Sequence, residues 1–273
     1  LHHVCNKVKA LLICQTAYNA YHKAVVVLRK TKLGESDLIL SLLAQDGSQI
    51  RAVAKGARKP TSQFSSRLEL YSQADVLLAQ GRTLDIVKEA RLIAGNAALR
   101  ESMELAACAA PIVELLDRIT QPGLEVPKLF PLTQTALGVL ASADSAHGPA
   151  ICAAWLLKAF AFLGIRPSLD RCCVCGEPLA CDVEGLAHRT IAFSCSEGGV
   201  VCDACRVSDV AGLAPETLSW AIALLGMRFS DIASIKVDQS CVFDTLRLCQ
   251  TWAQVHASIR LKSLNFLFTC GLF

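Results

Sequence analysis

The chain has 273 residues, 53% of them hydrophobic and only 6% aromatic, with 27 Lys and Arg against 24 Asp and Glu. That length holds a sizeable core in two or three domains, and the abundance of Ala, Leu and Val suits packed helices beside at least one β region. No uninterrupted apolar run reaches the roughly 18 residues of a membrane-spanning helix, and 14 cysteines fall below the density of a secreted disulfide scaffold, so both classes are set aside.

Charge is unevenly placed. Residues 1–95 carry 14 Lys and Arg against 7 Asp and Glu, whereas the remainder is mildly acidic. A basic N-terminal third suggests one part that meets a polyanion. At the very start, Lys7 and Lys9 precede Ala10 to Cys14, an apolar core of about five residues, shorter than the seven to fifteen of a signal peptide. Residues 1–21 therefore read as an extension or a misassigned start.

Residues 23–93 predict five short strands. The β-branched run 23–29 leads to a turn at Gly34, 37–45 ends at Asp46-Gly47, a strong hairpin signal, and 48–55 alternates Ile50, Ala52 and Ala54 against Arg51, Val53 and Lys55. A basic connection over 56–66 precedes a fourth run at 67–78, and the turn Gln80-Gly81-Arg82 leads into 83–93. Five strands with one long connection suit a small closed barrel of the OB type; an SH3-like barrel or an open meander gives a similar pattern.

The period turns helical from Asn96, a predicted N-cap for a helix through Leu105. Pro111 kinks that helix or starts another, and Pro122-Gly123 and Pro127 break the chain. Residues 129–141 and 151–163 predict two more helices, the second with its apolar side chains largely around one side and stopped by Gly164. Further helices begin at Pro215-Glu216 and at an Asp238 or Ser240 cap, the last running to Ile259. Cys108, Cys152 and Cys249 fall within helical patterns and read as buried free thiols, in keeping with a reducing cytoplasm.

Between these helices, over 171–207, lie two C-x-x-C pairs, Cys172 with Cys175 and Cys202 with Cys205. Their spacing matches a four-thiolate zinc site, each pair forming a knuckle that aims two sulfurs at one point. Phe193, Gly198-Gly199, Val200 and Val201 predict a hairpin feeding the second knuckle. Four sulfurs leave no open coordination position, which favours one structural Zn2+ over a catalytic ion. Cys173, whose position inside the first knuckle should point it away from the metal, Cys181 and Cys195 are substitute ligands or simply buried thiols, and His188 is a ligand, a nucleic-acid contact or, the favoured reading given four sulfurs, neither. No His is followed two residues later by Glu, against a nucleobase deaminase, and a phosphate loop, a G-x-S-x-G elbow and H-E-x-x-H are all missing from the sequence.

The stretch Lys55-Gly56-Ala57-Arg58-Lys59-Pro60, continuing through Gln63, Phe64 and Arg67, places four cations on a Gly- and Pro-punctuated connection. Cations on a mobile loop at a barrel edge neutralise phosphates, and Phe64 offers a face for a stacked base. With Arg51 and Lys55 on one strand face and Lys23, Arg29 and Arg82 bordering it, the predicted DNA-binding set is Lys23, Arg29, Arg51, Lys55, Arg58, Lys59, Arg67 and Arg82. A solvated surface loop is the alternative.

From Lys23 to about Leu267 the sequence resembles the RecO family of bacterial recombination mediators. The resemblance rests on K-A-V-V-V-L-R at 23–29, L-G-E-S-D at 33–37, A-V-A-K-G-A-R-K-P at 52–60, Gly164 and Pro167, both knuckles with Gly176 and Gly198-Gly199, and Ser263-Leu264 with Phe266-Leu267. It implies an α+β protein: an N-terminal five-stranded OB-fold barrel over 22–94, then an all-helical domain over 95–273 with an inserted four-cysteine zinc-binding segment. It also implies a non-enzymatic, cytoplasmic, nucleoid-associated protein that binds single- and double-stranded DNA, anneals strands and assists RecA loading. The implied partners are RecR and the acidic C-terminal tail of single-strand-binding protein, the latter in a helical groove rimmed by a cation such as Arg100, Arg118 or Lys158. Lys55, Arg58, Lys59 and Arg67 would hold the phosphates of two strands. A protein-interaction adapter with incidental DNA affinity is the competing reading, and a zinc enzyme a third.

Overall fold

A computed structural model describes residues 20–179, 190–206 and 208–273; most of the N-terminal extension, Cys181 and His188 lie outside them. Two compact units divide the chain, one over residues 20–44 and 49–95, the other over 45–48 and 96–273.

The first unit is a closed barrel of β1 (Ala20–Leu33), β2 (Asp37–Ala44), β3 (Gln49–Ala54), β4 (Gln73–Ala79) and β5 (Asp85–Ala94) in the order β1-β2-β3-β5-β4, the OB-type arrangement. Closure requires β1 to serve two neighbours. Its first half pairs with β4, from Ala20 opposite Ala79 to Val26 opposite Gln73, and its second half pairs with β2. Where the two registers meet, Leu28 is an extra residue, since Val27 faces Leu42 and Arg29 faces Ser41. This bulge bends the strand and reverses its facing. Val25 and Val27 point into the barrel core with Leu40, Leu42, Ala52, Ala54, Val76, Leu78 and Val87. Past the bulge, Arg29, Thr31 and Leu33 pair with Ser41, Ile39 and Asp37, the outward set of β2.

The basic connection is not a mobile loop. Ala57, Phe64 and Leu68 are buried in the barrel core, so residues 55–72 fold across the barrel end as a pinned lid. Phe64, only 8% exposed, is a core residue and not a stacking platform. Lys30 holds the far side of the lid through Glu69 at 2.7 Å. The fourth strand begins at Gln73, six residues later than its sequence predicts, because Leu68 turns inward and Tyr71 adopts φ 68, a left-handed conformation that cannot continue an extended ladder.

The second unit comprises helices α1 (Ala98–Glu101), α2 (Met103–Ile119), α3 (Leu129–Ser142), α4 (Gly148–Phe162), α5 (Pro215–Gly226), α6 (Phe229–Ile232), α7 (Gln239–Ala257) and α8 (Lys262–Thr269). Asn96 is not the cap its sequence context predicts: it lies at φ 45, and Ser102, extended in backbone, accepts the Leu105 N–H and starts α2. Pro111 lies within α2 without ending it. Asp238 caps α7 through the Cys241 N–H, and Ser258 at φ 56 ends that helix early. The Glu114 carboxylate of α2 accepts from the Lys262 and Ser263 N–H groups and so caps α8.

Helix α4 is buried all round rather than on one side, with Ile151, Trp155, Leu156, Leu157 and Phe160 fully enclosed. Alanines at 150, 153, 154 and 159 keep it slim, and α2, α3, α5 and α7 pack around it. Among the described residues no helix is long and apolar enough to cross a membrane.

The buried position of Phe64 carries a test. Phe64→Ala is expected to cost the barrel about 3–5 kcal/mol, read as a lowered denaturant midpoint, whereas Phe64→Leu is expected to keep the fold and to leave single-stranded DNA titrations, the check on the stacking expectation, unchanged. A selective loss of DNA binding in a stable Phe64→Leu protein would return the ring to the surface.

Candidate metal centre and nucleic-acid interface

Between α4 and α5 a three-stranded sheet in the order β7-β6-β8 is built from β6 (Ile191–Ser194), β7 (Gly199–Val200) and β8 (Ala211–Leu213). Phe193 faces Val200 and Ser194 faces Gly199, the hairpin that the sequence predicts. Gly199 is required there: it lies beside Ser168 in a short bridge, and a Cβ would fall 2.2 Å from the Ser168 carbonyl oxygen. The sheet holds the knuckles together, since the Cys173 N–H donates to the Val200 carbonyl and the Cys202 N–H reaches the Cys172 sulfur at 3.4 Å.

The sulfurs of Cys172, Cys175, Cys202 and Cys205 all lie within 4.8 Å of one another. Cys175 and Cys202 Sγ are 3.8 Å apart, which is the edge of about 3.8 Å that a tetrahedron of 2.3 Å metal–sulfur bonds demands. Four soft donors at this spacing fit a tetrahedral divalent cation. Cys173 packs beside Cys172, Ala192 and Val201 in a small core instead of joining the cluster, and the Cys195 carbonyl bonds to His256; neither is among the four converging sulfurs.

Electrostatics support the same fit. The N–H groups of Cys175 and Cys202 lower the Cys172 thiol to about 6, so it is a thiolate at neutral pH. Its neighbours then resist ionising: hydrogen bonding to the Cys202 and Cys175 sulfurs raises Cys205 to about 12, and Cys175 is raised as well. A dication resolves this by deprotonating the remaining thiols. Metal binding at pH 7 is therefore expected to release at least two protons, from Cys175 and Cys205, visible as a buffer-dependent enthalpy in titration calorimetry. Affinity should fall steeply as pH drops toward 6; a pH-independent affinity would exclude the four-thiolate assignment.

On the barrel, register brings some of the predicted cations together. Arg29 lies opposite Ser41, and Ser41 opposite Arg51, so both arginines occupy one row on the outer face of β1-β2-β3, about 10 Å apart at two strand spacings. The next row carries Thr31, Ile39 and Val53. Lys55 follows the end of β3, and Lys59 lies just beyond it; both are exposed. Arg82 lies in the β4–β5 turn at the opposite end of β3.

The lid end of this face is fixed by an acid. Asp37 Oδ1 accepts the Gly56 N–H at 2.8 Å and the Ser36 hydroxyl at 2.9 Å. Gly56 adopts φ 66, which glycine permits without a Cβ penalty. The Gly56 N–H, then the Ser36 hydroxyl, hold Asp37 below the usual carboxylate range, so the anchor is present at neutral pH and is lost only on acidification through that lowered value. Arg58 works alongside it: its Nη1 donates to the Gly34 and Glu35 carbonyls at 3.1 and 2.8 Å. Arg58 thus positions the loop while keeping its charge at the surface.

Two predicted cations do not join this face. Lys23 has the inward parity of β1, opposite Val76. The Arg67 Nη1 donates to the Ala90 carbonyl, and Arg67 lines a separate polar cavity of about 460 Å³ with His22, Asp75, Lys88 and Arg91.

The helical unit holds an apolar groove of about 510 Å³ that the sequence did not localise, lined by Leu132, Val139, Phe162, Met227 and Phe229, with Lys128, Lys158 and Arg228 at its edge. Lys158 Nζ donates to the Leu225 carbonyl at 2.5 Å and lies 5.9 Å from the Phe229 ring; burial lowers the pKa of this ammonium. Lys128 lies over Phe162. Of the three cations named for such a groove, only Lys158 lines it; Arg118 instead donates to the Arg260 carbonyl. Its walls come from three stretches remote in sequence, and its one local signal is Phe162, 39% exposed at the end of a buried helix.

Comparison with known proteins agrees with this architecture. The family model described as Recombination protein O N terminal matches residues 19–96, and that described as Recombination protein O C terminal matches residues 100–265. A DNA repair protein RecO of Bifidobacterium longum is 34% identical over 252 residues, covering 90% of this chain and 98% of that protein. Its counterpart from a Nocardioides species is 36% identical over 207 residues, covering 75% and 82%, and that of Desulfitobacterium hafniense is 34% identical over 200 residues, covering 73% and 68%. Barrel, helical unit and cysteine cluster thus fall within two adjacent matches, and the chain belongs to the RecO family of DNA repair proteins.

Proposed function

We propose that this protein is a DNA-annealing recombination mediator that works by binding rather than bond-making. The observation that carries this reading is the row Arg29–Ser41–Arg51 on one barrel face, extended by Lys55 and Lys59 at one end and by Arg82 at the other. Such a face neutralises successive phosphates and leaves bases free to pair, with salt-sensitive affinity. One Zn2+ held by Cys172, Cys175, Cys202 and Cys205 is the metal of this reading, with a structural role. The apolar groove edged by Lys128, Lys158 and Arg228 suits an acidic peptide, the chemistry of the C-terminal tail of single-strand-binding protein. Family membership further supports partnership with RecR and delivery of RecA to coated strands in the nucleoid.

Replacing Arg29, Arg51, Lys55 and Lys59 together with Ala should weaken single-stranded DNA binding and reduce the slope of log K against log salt by about 3, with slower annealing; Arg67→Ala should leave the slope unchanged. An unaltered slope in the quadruple variant would remove the face assignment.

Asp37→Ala, which removes the acceptor as well as the charge (Asn would keep an amide oxygen for the Gly56 N–H), separates positioning from net charge. Loss of a negative charge beside the basic loop would by itself strengthen polyanion binding. Because Asp37 anchors Gly56, the substitution should instead weaken it severalfold in a DNA titration at fixed salt. Tighter binding would show that the anchor does not matter.

A further inference from the structure

The cysteine cluster and the apolar groove share no residue, yet one strap of chain joins them. Residues 165–171 run from the end of α4 to Cys172, and one side of this strap is tied to the metal segment and to α7. Ser168 donates its N–H to the Gly198 carbonyl and accepts the Val200 N–H, and the Ile165 carbonyl accepts from Trp252 Nε1. The opposite side of the strap faces α5: Arg166, Leu169 and Asp170 enclose a cavity of about 240 Å³ with Ile222, Leu225 and Gly226. Gly226 also lines the groove, and the Leu225 carbonyl is the acceptor of Lys158 on the groove wall.

Helix α5 is tied to the metal segment at its other end as well. Strand β8 pairs with β6 and passes through Ala214 directly into Pro215, the first residue of α5. A twelve-residue helix transmits a displacement of its first turn over about 18 Å as one rigid body. The metal segment packs on the bundle through Phe193, whose ring lies 5.9 Å from that of Trp252, and through the Cys195 carbonyl bonded to His256. Around the sulfurs themselves the described buried cluster is small, Cys172, Ala192 and Val201, so the knuckles depend on an ion to hold their spacing.

We propose that metal binding at the four cysteines sets the spacing between α4 and the C-terminal end of α5, and thereby the affinity of the groove for an acidic peptide. The inference rests on the reading of the groove as a peptide site. Metal and peptide are then thermodynamically linked: each raises the affinity of the other by the same factor, about tenfold for a coupling of ordinary size.

The test uses the full chain and a labelled acidic peptide ending in Leu-Phe with a free carboxylate, followed by fluorescence anisotropy. Stripping zinc with a chelator should weaken peptide binding about tenfold, adding zinc back should restore it, and saturating peptide should raise zinc affinity by the same factor. Single-stranded DNA binding by the barrel should not change. Leu169→Ala, which removes the strap's buried contact (Leu169 is 1% exposed), should weaken the peptide while the protein still holds one zinc. Hydrogen exchange on stripped protein should rise in the strap and at the end of α5, with α2 and α7 still protected; protection lost throughout the helical unit would mean that the metal holds the whole fold, and would overturn a local coupling. Leu132→Asp in zinc-loaded protein should abolish peptide binding. Binding indifferent to Leu132→Asp refutes the groove as the docking site, and the coupling with it; binding sensitive to Leu132→Asp but indifferent to zinc removal refutes the coupling alone.

Discussion

Burial of α4 on every side is the constraint from which the helical unit follows. A helix with alanine at close-contact positions and Trp155, Leu156 and Phe160 between them has no face for water, so four partners must surround it. Those partners arrive from both sides in sequence: α2 and α3 precede α4, α5 and α7 follow it. The metal segment is the connection that lets the chain leave the end of α4 and return as α5. The last turn of α4 is left open where Phe162 emerges, and the groove forms there.

In the barrel the corresponding constraint is closure. Five strands close only because β1 is long and bent enough to pair with both β4 and β2, and the end left open is stoppered by Ala57, Phe64 and Leu68 rather than by a helix. The same stretch therefore combines core side chains with surface cations. That double duty explains why an acid belongs in a basic region: Asp37 directs its charge at the Gly56 N–H and holds the lid in place, and the lysines on either side project from a fixed backbone. Cations on a fixed frame lose less entropy on meeting phosphate than cations on a free loop.

What the sequence revealed, and what it hid, divides along a physical line. Where one face of a segment meets the core and the other meets water, period betrays structure: β3, with Ile50, Ala52 and Ala54 against Arg51 and Val53, reads directly. The knuckles read from spacing because metal geometry is stereotyped. The lid does not read, because Ala57, Phe64 and Leu68 are spaced seven and four apart, a helical interval in a stretch that forms turns and no helix, and a lone Phe among Lys and Arg looks like a stacking surface. Asn96 and Ser102 are both competent caps, and only the backbone angle chooses between them. The position of Arg67 away from Arg29 and Arg51 depends on how the lid folds back toward β5, where Arg67 bonds the Ala90 carbonyl, and the groove depends on stretches almost a hundred residues apart; neither leaves a local trace. Lys158, one of several cations the sequence offered, is singled out only by the helix end it reaches.

The extra residue at Leu28 has a consequence for how this barrel tolerates change in length. Side-chain facing along a strand has a period of two, so one inserted residue exchanges inside for outside over everything that follows. Without it, the parity that buries Val25 and Val27 would carry Arg29 and Thr31 into the core. The bulge acts as a frame-shift within the fold: it lets one strand contribute aliphatic side chains to the interior with its first half and a cation to the surface with its second. Substitutions at Leu28 are a matter of packing, but a single-residue deletion there would turn the second half of the strand inside out and take Arg29 from its row with Arg51.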